Sequence, residues 1–145
     1  MKKFLTFIMA SGFAVFMGSC GSSKSAAALS AIGGEWDVME IDGSPVKVVE
    51  GQDAPFMGFD VAGKLVYGSA GCNRLTGGLN ADAKTGKINF GALGSTRMMC
   101  HDMTNEDNML RALGEITGYK IKADGTMTFG NDADKVLMVL KKRAK

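Results

Sequence analysis

The chain has 145 residues, 22% of them charged, with 17 basic against 15 acidic side chains and a formal charge of +2. That length suits one domain with one core, and so small a charge offers nucleic acid no global attraction. The excess itself belongs to the N-terminus, since removal of Lys2 and Lys3 with the segment described next would leave acids and bases in balance.

Met1-Lys2-Lys3 followed by the apolar stretch Phe4 to Met17 reads as an export signal over residues 1–19, too short for a permanent membrane span. It ends in Met17-Gly18-Ser19-Cys20, which resembles the bacterial lipobox. The resemblance implies a thioether-linked diacylglycerol on Cys20, and two or more acyl chains anchor stably where one does not. Residues 20–31, small and polar, read as a lipidated flexible tether, and the domain is expected over residues 32–145. No Asp follows Cys20, which points to the outer membrane, facing the periplasm, with the membrane as a partner through the anchor.

In chain order, Glu35–Asp42 predicts a strand whose apolar phase slips after Val38, as a bulge would cause, and Asp42-Gly43-Ser44-Pro45 predicts a turn. Met57 and Phe59 alternate into a second strand, Ala62-Gly63 turns it, and Leu65–Tyr67 returns into a loop, Gly68–Gly78, with sequence GSAGCNRLTGG. Lys84-Thr85-Gly86 is a further turn, and Ile88 with Phe90 a further short strand. Residues 103–117 change to helical period through Leu110, Leu113 and Ile116, with Thr104 as cap and Asp107 at the third position. Tyr119 to Phe129 predicts a hairpin turned in two residues at Asp124-Gly125. Residues 135–140, apolar on both faces, predict an interior strand, and the basic residues Lys141, Lys142, Arg143 and Lys145 a solvated end. The sum is an α+β domain, mostly antiparallel, with a strongly curved sheet or partial barrel and one main helix packed on it.

Two chemistries fail on spacing. Gly86-Lys87 is followed by Ile88, which breaks a phosphate loop, and residues 80–86 put Lys84 at a calcium-ligand position. A Cys72 nucleophile would depend on His101, the sole histidine. Met98, Met99, Cys100 and His101 form a soft ligand set that suits Cu(I). The remaining reading joins Cys72 to Cys100 as a disulfide in an oxidising compartment.

Trp36-x-Val38-x-x-Ile41-x-Gly43, Gly71-Cys72-Asn73-Arg74, Thr96-Arg97-Met98-x-Cys100 and an acid at Glu106 occur in one order. This pattern resembles the META domain family of HslJ-like exported proteins over roughly Ile32 to Lys141. The resemblance implies a compact antiparallel β structure, no established enzyme activity, no cofactor, and a role in envelope, heat or antibiotic stress. Asn73, Arg74, Thr96, Arg97 and Glu106 are then candidates for either structuring the loop or binding a partner. The structuring alternative has Arg74 and Arg97 pair with acids such as Glu106. The binding alternative makes them a small anion or peptide-carboxylate site, with an envelope protein or peptide as partner.

Overall fold

The computed structural model describes residues 29–144. The expected signal, the acylated Cys20 and the tether as far as residue 28 lie outside them. Leu29 already packs against the core, so the domain extends upstream of the expected start at Ile32.

Strand β1 (Gly34–Ile41) buries Trp36 and Val38, and its register against the C-terminal strand jumps from Val38–Leu140 to Glu40–Val139. Met39 is thus the extra residue, as the phase slip predicts, and Ile41 returns to the core. Asp42 and Gly43, with φ of 49° and 76°, turn the chain into β2 (Ser44–Pro45). That two-residue connection needs both residues in the left-handed region, where Asp and Gly are tolerated best.

β3 (Phe56–Asp60) and β4 (Leu65–Ser69) form the expected hairpin. Its left-handed residue is Lys64, at φ 53°, while the Gly63 amide donates to Asp60 Oδ1 at 2.9 Å. The stretch expected to be a loop is mostly not one. Only residues 70–73 turn, and β5 (Arg74–Gly78) pairs with β4 along its whole length. Leu75 is its lone large apolar side chain, too little for a period of two to register in the sequence.

β6 (Asn80–Asp82) and β7 (Lys87–Asn89) make a small hairpin, and β8 (Gly94–Ser95) adds to β5. Helix α1 (Thr104–Glu115) follows. Two details of the expected helix change. Met103 is the N-cap without a side-chain bond, and Asp102 Oδ1 accepts the Thr104 N–H at 2.8 Å, so the capping carboxylate lies before the residue expected to cap. The buried face is Glu106, Met109, Ala112 and Leu113, continued by Ile116, and Leu110 is exposed.

β9 (Gly118–Ile121), β10 (Thr126–Gly130) and β11 (Val136–Lys142) complete the chain. Lys122 still pairs with Thr126, and Gly125 has φ 81°, so three residues turn this hairpin rather than two. A turn over Ala123-Asp124 closed by a left-handed Gly is the usual three-residue solution.

All pairings are antiparallel, in the order β6-β7-β9-β10-β11-β1-β3-β4-β5-β8 with β2 off β1. β11 is interior, as expected. The sheet is curved into a half-barrel: Phe59 of β3 and Phe129 of β10, with β11 and β1 between their strands, have ring centroids 6.0 Å apart, and Phe90 joins them at 6.3 and 5.6 Å. α1 packs against β1 and β11 at the end where β1 finishes.

The basic end is not merely solvated. Lys141 and Lys142 belong to β11, and Lys142 Nζ lies 4.8 Å from the Trp36 ring centroid while donating to the Ala31 and Gly33 carbonyls. Arg143 pairs with Glu35 and Asp37 and lies 4.4 Å from the Phe56 ring centroid, and these acids hold its guanidinium above the usual arginine range. The long apolar stems of these side chains cover the sheet while their heads find acids and carbonyls.

Candidate functional site

The cysteine-bearing turn links β4 to β5. Its ends are closed by the Ala70 N–H donating to the Asn73 carbonyl at 2.9 Å, and Ser69 Oγ accepts the Gly71 N–H at 3.2 Å. Gly71 has φ 116°, which explains a glycine there. The Gly71 carbonyl accepts the Asp53 N–H, so the segment before β3 lies along the turn.

Asn73 stands at the centre and is buried. Its Nδ2 donates to Glu106 Oε1 at 2.8 Å and to the Met98 carbonyl at 3.0 Å. Its Oδ1 accepts Thr96 Oγ1 at 2.8 Å and the Met98 N–H at 2.7 Å. Its backbone N–H donates to Glu106 Oε2 at 2.8 Å. Both amide hydrogens and both oxygen lone pairs are therefore engaged, which is the full capacity of an asparagine. Thr96 extends the network, accepting the Arg74 N–H through Oγ1 at 3.1 Å and donating its own N–H to the Arg74 carbonyl.

Glu106 is 5% exposed and sits in the first turn of α1, where the helix dipole favours a carboxylate. One side chain thus fastens the helix start to the turn. Nearby, Gln52 Nε2 donates to the Asp102 carbonyl at 2.9 Å and Asn105 Nδ2 to the Lys47 carbonyl at 2.8 Å. Bonds from the Thr104 hydroxyl and N–H hold the Asp102 carboxyl below the usual aspartate range.

Cys72 and Cys100 are joined, with Sγ–Sγ 2.07 Å and Cα–Cα 5.9 Å. The crosslink and the Asn73 bonds grip the inner side of residues 96–100. On the outer side Arg97, Met98, Met99 and His101 are exposed, Met98 by 57% and Met99 by 88%. The Cys72 thiol that would attack a substrate and the Cys100 thiolate that would bind Cu(I) are both consumed by the disulfide. Among the described residues no three His, Cys, Asp or Glu side chains converge as a metal group.

The structure brings Asn73, Thr96 and Glu106 together and leaves the side chains of Arg74 and Arg97 out of their network. Arg74 pairs not with Glu106 but with Asp53, at 2.7 Å and on the surface. Arg97 makes no ion pair with any described residue, so the two arginines share no common acid. The reason is depth: Glu106 is buried beneath Asn73, whereas both guanidiniums remain at the surface. Sequence reading missed Gln52, Asp53 and Asp102 as supports of the motif, because each sits in a segment without periodicity. Among the described residues, one open cleft runs along β9 and β10 and another lies beside β6, and no motif residue lines either.

A model of the META domain matches residues 27–144. Three solved structures are similar in fold. An NMR structure of a protein from Burkholderia xenovorans is 22% identical, with a TM-score of 0.61, over 98% of this chain and 100% of that one. Another NMR structure is 22% identical, with a TM-score of 0.57, over 76% and 89%. A crystal structure of a DUF4847 family protein from Bacteroides vulgatus ATCC 8482 is 15% identical, with a TM-score of 0.54, over 79% and 95%. No curated protein matches the chain.

Proposed function

Since the chain belongs to the META domain family, we propose that it is a non-enzymatic binding module of the cell envelope, held by lipid on Cys20 at the periplasmic face of the outer membrane. The observation that carries the reading is the division of labour around Asn73. The polar groups of Asn73 and Glu106 face inward and are used up, while Arg97, Met98 and Met99 are held outward on a braced ridge. A methionine-rich, positively charged ridge suits an apolar, acidic segment of an envelope protein.

The chain enters the domain at the start of β1, and the ridge begins at Thr96, level through Arg74, Ser69 and Phe56 with Asp37 in the middle of that strand. The strand rises about 10 Å from Gly34 to Asp37, so an anchored domain would carry the ridge on its half away from the membrane. Partner capture under heat or antibiotic stress is the role this arrangement fits. The soft-metal alternative loses support because oxidised Cys100 has no thiolate to offer.

A photo-crosslinking side chain at position 99 of the full chain in its native envelope tests the ridge. A defined adduct that Arg97→Glu removes supports the reading, and an adduct pattern equal to that from position 84, on the distant β6–β7 turn, contradicts it. Metabolic labelling with an alkyne-bearing palmitate tests the anchor separately: label on the parent and none on Cys20→Ala supports it, and label on neither contradicts it.

A further inference from the structure

β8 is the last strand of the sheet and, among the described residues, pairs only with β5. The Thr96 N–H donates to the Arg74 carbonyl at 3.1 Å, so Thr96 turns its main-chain groups toward β5. Antiparallel pairing alternates, which aims the N–H and C=O of Ser95 and Arg97 the other way, into solvent. The chain then runs through residues 96–100 with no turn or bend and no left-handed residue. An extended edge thus reaches the surface at Arg97, which is exposed and makes no ion pair with any described residue.

Both sides of Arg97 are fixed from beneath. Before it, Thr96 Oγ1 donates to Asn73 Oδ1 at 2.8 Å. After it, the Met98 N–H donates to the same oxygen at 2.7 Å, and the Met98 carbonyl accepts Asn73 Nδ2 at 3.0 Å. Two residues further on, Cys100 is bonded to Cys72. Of the acids on the surrounding segments, Asp53 is paired with Arg74, Glu106 is buried on Asn73 and Asp102 bonds the Thr104 N–H. A protease cleft takes its substrate as an extended chain, through main-chain groups of alternate residues. Here that chain is already ordered, so docking costs little conformational entropy.

We propose that residues 95–99 are an inhibitory loop for a serine protease of the trypsin kind, with Arg97 filling the pocket that has an aspartate at its floor. The inference rests on the ridge as a binding surface and names its partner. Attack of the protease's serine on the Arg97 carbonyl forms an ester and frees the Met98 amine, which takes the serine's proton by way of the protease's histidine. Asn73 and the disulfide hold that amine in place. It re-attacks the ester, restores the peptide bond and returns the proton to the serine, with no water consumed.

The test titrates trypsin with the oxidised full chain in detergent and reads hydrolysis of an arginine anilide. Competitive one-to-one inhibition with a Ki of about 1 μM or tighter is expected. Arg97→Ala should weaken it by about a hundredfold or more, the scale of a central anchor. Arg97→Lys should retain most of it, and Lys84→Ala, on the distant β6–β7 turn, all of it. Cys72→Ser with Cys100→Ser should turn the inhibitor into a substrate, cut between Arg97 and Met98 as read by mass spectrometry. No inhibition, inhibition that survives Arg97→Ala, or complete cutting of the oxidised parent at that bond overturns the proposal. A second arm separates the protease from the ridge. An aryl sulfonyl fluoride, which seals the serine and fills the pocket of such proteases, should erase the adduct formed from position 99 in the native envelope. An adduct that persists overturns the protease and leaves the ridge a binding surface, whereas absence of a specific adduct from untreated envelope overturns the ridge itself.

Discussion

Glu106 holds Asn73 with both carboxyl oxygens, one on the backbone N–H and one on the side-chain amide, each at 2.8 Å. A residue of α1 is thereby bound to the turn that precedes β5, across 33 positions of sequence. Glu106→Gln keeps one acceptor but places an amide donor against the other of the two Asn73 donors, and Asn73→Ala leaves Glu106 Oε1, the Thr96 O–H and the Met98 amide without partners. Each should cost about 1–3 kcal/mol, the scale of a buried polar group left unsatisfied. Urea unfolding measures it. The double variant should cost less than the sum of the singles, and strict additivity would show that the two residues do not act as one unit.

The disulfide closes a loop with a sequence separation of 28. In the chain-entropy account a crosslink of that span stabilises by roughly 3.5 kcal/mol through the unfolded state. Cys72→Ser with Cys100→Ser should lower the urea midpoint accordingly while the fold persists, because Asn73 still ties residues 96–98 to the turn. Oxidised protein should resist maleimide at both cysteines until a reductant is added. Free labelling without reductant would return the nucleophile and soft-metal readings to consideration.

Asp42 gives a pH dependence with a definite sign. Bonds from Lys135 and Arg111 hold its carboxyl below the ordinary value of 3.8. A depressed folded-state pKa contributes stability that is fully present above the unfolded value and lost as pH falls through the folded one. Asn suits the left-handed backbone of position 42, so Asp42→Asn removes charge with little strain. The variant should melt lower than the parent near pH 7, and the gap should narrow as pH drops below about 4. A gap that stays constant to pH 2 would assign the effect to something other than this carboxylate.

Two glycines in neighbouring strands should differ in their tolerance of a methyl group. A Cβ on Gly58 would fall 2.2 Å from Tyr67 Cζ, and one on Gly68 would fall 2.2 Å from the Phe56 carbonyl oxygen. The Tyr67 ring is partly exposed and can swing away, whereas the Phe56 carbonyl is fixed in the β3–β4 ladder. Gly68→Ala should therefore destabilise by more than about 2 kcal/mol and Gly58→Ala by less. Thermal melts of the two variants compare them directly, and the opposite order would contradict the argument.

Hairpins and bulges were legible where side chains alternate or where a turn residue has one use. The slip after Val38, the hairpin of β3 and β4 and the interior character of β11 all follow from the placing of apolar residues. β5 was illegible because Gly, Thr and a single Leu carry no period. The helix cap was misplaced by one residue, at Thr104 instead of Met103, because Asp102 and Thr104 are both good capping types and the carboxylate of Asp102 takes the Thr104 N–H.

The sequence by itself determined the fold class, the family motif and the identity of the two cysteines left to pair. Those rest on local pattern and on counting, which need no third dimension. Tertiary structure alone decided that Glu106 serves Asn73 rather than an arginine, that Arg74 finds Asp53, and that the basic end closes over Trp36 and Phe56. The physical reason is burial: a long charged side chain can reach many partners, and which it takes depends on how deep each acid lies once the core has formed around it.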